Sequence, residues 1–409
     1  MSFKMNSLEK KWVLYDVGNS AFTLLVATIM PIYFNAIAAS AGINEVDYLA
    51  YWGYAVSIST AITALLGPTL GTASDGRGKK KLFFMISVLV GVVACMFLGF
   101  MQHWLYFLCL FIIAKSAYSV SLVFYDSMLV DVSTNERMDE VSSLGYAWGY
   151  IGSCVPFIFS LILVLLYDKI GISQSLAMIL AFGLIAIWWL LLSLPLLKSY
   201  QQKYFIENES ENAFKRLSLT FKELKKHRKC LYFLIAFFFF IDGVYTIIDM
   251  ATAYGTALGF DSTSLLLALL VTQIIAFPAA ILFGRLANKH KSQNLIYICI
   301  IAYLLITIYA MFMVEQYQFW ILAICVGLFQ GAIQSLSRSY FAKIIPLEKS
   351  GQFFGLYDIC GKGASLFGTT LVSFVSQITK TTSFGVGSLA ILFILGLFFF
   401  YRTNQIKEN

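Results

Sequence analysis

The sequence predicts an all-α membrane protein: twelve transmembrane helices in two six-helix pseudo-repeats, with the N- and C-termini cytoplasmic. Three observations predict it. Of 409 residues, 59% are hydrophobic and 12% charged, which is too apolar a balance for a water-soluble chain of this size. Apolar runs of about twenty residues, each long enough to cross a bilayer, recur along the whole length. They fall near 14–38, 51–71, 82–101, 104–129, 143–167, 175–197, 231–256, 264–286, 294–314, 319–343, 353–377 and 384–401. Finally, a glycine- and cation-rich loop, GTASDGRGKK (71–80), joins the second and third spans, and GRLANKHK (284–291) answers it in the second half. A loop motif repeated half a chain apart points to two homologous halves, as in many carriers. The halves are expected at 1–197 and 230–409, joined by a cytoplasmic loop at 198–229.

Charge sets the orientation. With the N-terminus inside, only Lys169 and Lys380 of the 29 lysines and arginines fall in outer loops. Lys115, Arg338 and Lys362 lie within spans, and the rest face the cytoplasm, as the positive-inside rule requires. The net charge of +7 is thus a topology signal and implies no nucleic-acid partner. The apolar run beginning at Trp12 is too long for a cleaved leader and is expected to stay as the first helix. The seven cysteines show no paired spacing and read as small packing residues. The three histidines, His103, His227 and His290, all lie in loops, so neither a metal site nor any other cofactor is expected.

The first span opens on Lys10 and Lys11 at the inner surface, with Trp12 and Tyr15 as an aromatic belt. Asp16, Asn19 and Ser20 follow. Asp16 reads either as a helix-end charge within reach of headgroup water or as a site residue. Asn19 lies deeper, where a facing helix or a cavity must satisfy it. Pro31 bends the outer half, and Gly67-Pro68 kinks the second span before the loop motif. In that loop Gly71, Gly76 and Gly78 make a tight turn carrying Asp75, Arg77, Lys79 and Lys80.

Lys115 sits in the fourth span, about 16 Å deep and near the midplane. A lone ammonium there costs roughly 2.5–3.5 kcal/mol on insertion scales, so it needs a partner or a wet cavity. Asp126, Asp131 and Glu136-Arg137 lie farther down. The fifth span carries Gly145, Gly149 and Gly152, spaced for close helix packing. In the central loop, Phe214, Leu217, Phe221 and Leu224 recur at helical steps among lysines. That segment is either an amphipathic helix on anionic lipid or a solvated tether.

In the second half, Asp242 lies about 17 Å into the seventh span and Asp249 nearer the outer face. The eighth span holds Gln273 and Pro278, the tenth Gln330 and Arg338, and the eleventh Asp358 and Lys362. One offset sets Lys115 against Gly327, Asp126 against Arg338, and Glu136-Arg137 against Glu348-Lys349. Asp126 and Arg338 are therefore expected to face each other near the inner ends of paired helices, as a gate. Asp358 and Lys362, at i,i+4 with the acid first, either neutralise each other on one helix or face a cavity.

The loop at Gly71, Asp75, Gly78, Lys79 and Lys80 resembles the G-x-x-x-D…G-(R/K)-(R/K) motif of the major facilitator superfamily. Within it, YDVGNSAF (15–22), DGVYTII (242–248), TQIIAFPAA (272–280), QGAIQSLSRSYFAKIIP (330–346) and FFGLYDICGK (353–362) resemble the vacuole-effluxer-like branch. That branch comprises autophagy-linked vacuolar amino-acid exporters and bacterial relatives. The resemblance implies a twelve-helix carrier of small solutes, with amino-acid efflux the best-known activity. It places Lys115 where the superfamily carries an arginine in R-x-x-Q-G. It also implies that Asp131 joins Asp75 and Lys79, or Arg77, in a cytoplasmic charge relay latching the halves. Asn288 departs from the acid of the second loop motif and leaves that latch weaker or differently wired.

The resulting expectation is a secondary transporter working by alternating access, a multi-pass monomer of the cell membrane (the inner one in a bacterium), and not an enzyme. Mid-bilayer charges from both halves suit an anionic or zwitterionic, amino-acid-like solute. Lys115 and Lys362 would take a carboxylate and Asp242 an amine or a coupling proton, with Asn19, Gln273 and Gln330 completing hydrogen bonds. The alternatives are a multidrug exporter, against which two midplane lysines argue, and a scaffold or receptor that moves nothing.

Overall fold

The computed structural model describes residues 4–43, 45–207 and 224–406. Its helices are α1 (Ser7–Ala27), α2 (Ile29–Ser40), α3 (Glu45–Ser74), α4 (Lys79–Leu98), α5 (Trp104–Ser127), α6 (Leu129–Val132), α7 (Met138–Leu165), α8 (Tyr167–Ile170) and α9 (Gln174–Ser199). They continue with α10 (Arg228–Ala257), α11 (Ser262–Ala287), α12 (Ser292–Met311), α13 (Gln316–Ile344), α14 (Ser350–Thr379), α15 (Thr382–Gly387) and α16 (Leu389–Gln405). Among the described residues no strand forms, and a lone bridge ties Gly76 to Ile206. The expected amphipathic segment from Phe214 lies outside the described residues up to Leu224.

Eleven helical stretches are long and apolar enough to cross a membrane, counting α1 and α2 as one stretch, Ser7–Ser40. α14 adds a further helix of 30 residues. Local chemistry sets several ends. Asn6 and Glu9 form a reciprocal capping box at the start of α1, each bond 2.8 Å long. Ser173 and Asp261 cap α9 and α11 through their side chains. Pro31 has no N–H to offer the carbonyl of Ala27, and the helix breaks there, at Thr28. Pro68, by contrast, lies inside an unbroken α3.

Within the first part of the chain α1 packs on α7 and α9, α4 on α5, and α3 on α5. In the second part α10 packs on α14 and α16, α12 on α13, and α11 on α13. The two sets meet where α3 crosses α14 and α7 crosses α11. Leu89, Val93 and Phe97 of α4 and Ile391, Ile394 and Phe398 of α16 are exposed, an apolar outer surface suited to lipid. The end of the bundle carrying the described termini also carries the loops at 75–78, 133–137, 200–207 and 288–291. We call it the basic face.

Candidate functional site

The loop between α3 and α4 shows how local sequence places charge. Gly71 is not in the turn, as expected above, but inside α3, where a Cβ would strike the carbonyl oxygen of Gly351 on α14. Gly78 makes the turn, at φ 72°, in the left-handed region open to glycine. Because α4 starts immediately afterwards, Arg77 and Lys79 point outward and Lys80, the next residue, inward. Arg77 lies over the Phe205 ring at 5.4 Å. It is therefore Lys80, fully buried, that meets Asp131 at 3.4 Å and donates to Ser350 Oγ at 2.7 Å. This corrects the relay expected through Lys79 or Arg77: each helical step turns a side chain by about 100°, and only Lys80 faces inward.

Asp75, also fully buried, accepts from the backbone N–H groups of Gly351 and Gln352 at 2.7 and 2.9 Å. A carboxylate thereby closes the start of α14 with charge-assisted bonds to orphan donors. Asp131 further accepts from Tyr200 Oη at 2.5 Å and from the backbone of Lys203 and Tyr204 at 3.0 and 3.1 Å. Arg137 turns away from it and forks onto Glu9, with bonds of 2.8 and 2.7 Å.

Deeper in, Arg338 of α13 reaches across to the first set of helices. Its Nη1 lies 2.9 Å from Asp126 Oδ1 on α5 and its Nη2 3.4 Å from Asp16 Oδ2 on α1. Nε donates to Ser142 Oγ at 2.9 Å and Nη2 to the Ser142 carbonyl at 3.0 Å, both on α7. The rings of Trp12, Tyr125 and Tyr146 surround the guanidinium at 4.6, 5.5 and 4.4 Å, a cation–π cage for a side chain 2% exposed. Trp12, Tyr15, Asp16 and Asn19 share one face of α1 because three- and four-residue steps align on a helix. Gly145 leaves the needed room: a Cβ there would stand 2.7 Å from Asp16 Oδ2. Asp16 thus sits with the Asp126–Arg338 cluster rather than with the deeper polar residues.

A third node forms around Asp139 and Glu140 at the start of α7. Asp139 holds Lys343 Nζ and Ser292 Oγ at 2.5 Å each and Ser339 Oγ at 2.6 Å. Asn288 donates to Glu140 Oε2 at 2.5 Å. The 212-residue step from Asp126 to Arg338 also takes Asp131 to Lys343, Lys80 to Ser292 and Glu140 to Gln352. This third node is the first one rewired: where Asp75 accepts from backbone at 351–352, Asn288 donates to a side chain at 140.

The remaining expected site residues are not gathered into one constellation. Asn19 is buried and donates to the Tyr15 carbonyl of its own helix at 2.9 Å. Lys115 lies 5.8 Å over the Phe111 ring, and its charge reaches Asp249 of α10. Asp249 itself is exposed. Asp242 turns into α14 instead, where its Oδ1 accepts from Gly368 N at 2.9 Å and Thr246 Oγ1 at 3.3 Å. Its Oδ2 is buried with no partner among the described residues. The expected face-off of Lys115 and Asp242 is thereby corrected: Asp242 and Asp249 lie on nearly the same face of α10 but two turns, about 10 Å, apart along it, and it is Asp249 that the charge of Lys115 reaches. The side chain of Lys362 lies outside the described residues.

Asp358 is half-buried at the crossing of α14 and α3, its Oδ2 3.8 Å from where a Gly67 Cβ would be. Gln273 and Gln330 line a small cavity of about 30 Å³ with Thr272 and Ile247. Sequence reading missed Asp139, Glu140, Ser142 and Lys343, and it named Lys80 in the loop motif without giving it the contact to Asp131. Asp139 and Glu140 look like the ordinary acids of a helix N-terminus, and only their contacts mark them out.

The comparisons with known proteins agree with this architecture. The family model described as "Vacuole effluxer Atg22 like" matches residues 7–409. An uncharacterized MFS-type transporter, YxiO of Bacillus subtilis, is 43% identical over 405 residues, covering 97% of this chain and 95% of its own. Autophagy-related protein 22 of Kluyveromyces lactis is 22% identical over 400 residues, covering 86% and 79%. Among solved structures, the proton:xylose symporter XylE superposes with a TM-score of 0.75 at 11% identity, over 97% of this chain and 95% of its own. From its matched length and its relatives, the chain is a multi-pass integral membrane protein of the bacterial type that belongs to the vacuole effluxer Atg22-like family and takes the MFS fold.

Proposed function

We propose that this protein is a twelve-helix secondary transporter whose two six-helix halves rock about a central site, with the basic face in the cytoplasm. The loop cations support that orientation, and the matching helix pairs of the two sets support the repeat. The observation that carries the reading is Arg338. One half supplies a buried guanidinium, and the other surrounds it with Asp16, Asp126 and Ser142. A bond network of this kind, buried between two rigid halves and confined toward one end, is a gate closed on that side. Asp75, Lys80 and Asp139 form its outer latch.

The solute in this reading is small and zwitterionic, amino-acid-like. Lys115 and Asp249 put opposite charges on facing halves, the arrangement that receives a carboxylate and an ammonium together. Asp242, with one oxygen satisfied and the other open, is the coupling-proton site. Gln273, Gln330 and Asp358 line or flank the path, Lys362 is assigned to it from its sequence position alone, and a monomer contains all of these parts.

Spin labels at Glu136 and Glu348, both exposed on the basic face, test the gate in reconstituted protein. Removing one member of a buried pair costs about 3–5 kcal/mol. Arg338→Gln and Asp126→Asn should therefore lengthen the label distance and cut counterflow of radiolabelled neutral amino acids by about a hundredfold. The charge swap D126R/R338D should recover part of both. Single variants that keep wild-type distance and flux would overturn the proposal.

A further inference from the structure

Beside the Asp139 node, the basic face holds a pocket of about 310 Å³ between the ends of α10, α12 and α13. It is lined by Lys229, Lys291, Lys343, Ser292, Gln293 and Tyr340 among others. Three lysines from three helices converge on it with no acid in the lining. The start of α12 opens into the same space. Lys291 is its N-cap residue and makes no side-chain capping bond, so the first-turn N–H groups of Ser292 and Gln293 stay available. Uncapped amides and the positive end of a helix dipole favour an oxyanion, and three ammonium groups add to that preference. Two independent features thus select the same ligand chemistry.

We propose that this pocket binds a phosphate oxyanion and that its occupation loosens the neighbouring latch. Lys343 and Ser292 line the pocket and are the groups Asp139 holds at 2.5 Å. A phosphate seated there competes with Asp139 for both donors and so weakens the tie between α7 and the second set of helices. The pocket lies at helix ends on the basic face, so an anionic phospholipid headgroup is one source of the oxyanion and inorganic phosphate the other. The binding site stands independently of the transport reading, since it needs only these three helix ends.

The test uses the full chain in nanodiscs of phosphatidylcholine alone or mixed with phosphatidylglycerol, and inorganic phosphate as the soluble probe. K229Q/K291Q leaves Lys343 and Ser292, the donors to Asp139, in place and is the working variant, with K229R/K291R as the conservative rescue. Native mass spectrometry should show phosphatidylglycerol retained by the wild type and the Arg variant, and about tenfold less by the Gln variant. The label pair at Glu136 and Glu348 should lengthen when phosphatidylglycerol is present. If inorganic phosphate alone produces a thermal shift that the Gln variant lacks, the site holds and its source is soluble. Equal lipid retention by wild type and Gln variant, with no phosphate response, would overturn the site. Binding without any change in label distance would overturn its link to the latch. An unchanged unfolding midpoint of K229Q/K291Q in phosphatidylcholine separates these results from misfolding.

Discussion

Arg338 and Asp242 are both charged residues of the membrane interior, yet their surroundings differ in kind. Arg338 has nearly every donor engaged, by Asp126, Asp16 and Ser142, and an aromatic cage around its plane. That is the condition under which burying a charge is tolerated rather than ruinous. Asp242 has two donors on one oxygen and none on the other among the described residues. An open carboxyl oxygen in apolar protein can accept and release a proton without breaking an existing bond. Asp242→Asn keeps the acceptor for Gly368 and Thr246 and removes the titrating oxygen. We expect uptake of radiolabelled neutral amino acids driven by a pH gradient to vanish in this variant, with counterflow retained. Gradient-driven uptake at the wild-type rate would remove Asp242 from the coupling. The charge of both residues at depth was legible in the sequence. Asp126 was legible as the residue facing Arg338, but Asp16, Ser142 and the donors to Asp242 were not, because a partner on another helix depends on which way each helix is rotated.

At the scale of elements, the crossing of α3 and α14 depends on backbone approaching backbone. A Cβ on Gly71 would overlap the Gly351 carbonyl, and one on Gly355 would stand 2.6 Å from Pro68 Cα. No side chain can yield there, so even a methyl group must push the helices apart. Gly71→Ala should therefore broaden and lengthen the 136–348 label distance, whereas Gly183→Ala, at a position with nothing within 4 Å, should leave it unchanged. Equal behaviour of the two variants would show that the crossing does not hold the basic face shut. Helix existence was readable here because twenty-residue apolar runs have few other stable outcomes. The loop glycines were readable as special but not as to why: Gly71 serves a crossing, and Gly78 alone serves the turn.

Over the whole molecule, the latch is built twice on the same plan but wired differently. In one copy a carboxylate, Asp75, meets the amides that open α14; in the other an amide, Asn288, meets a carboxylate, Glu140, near the start of α7. Asn288→Asp restores the acid of the loop motif but sets it against Glu140. Like charges at a 2.5 Å contact repel, so the variant should open the basic face as read by the 136–348 labels. Adding Glu140→Gln should close it again. No opening in the single variant would mean that this contact carries no part of the latch. The sequence by itself determined what depends on composition and spacing: the membrane spans, the cation-rich loops and the 212-residue step that joins Asp126 to Arg338. Only the tertiary structure decided that Lys80 rather than Lys79 meets Asp131, that Asp16 belongs with Arg338, and that Lys115 answers to Asp249. Hydrophobicity and periodicity are properties of a segment read alone. Which side chain meets which across a helix interface is set by rotation and approach, and those exist only once the helices have packed.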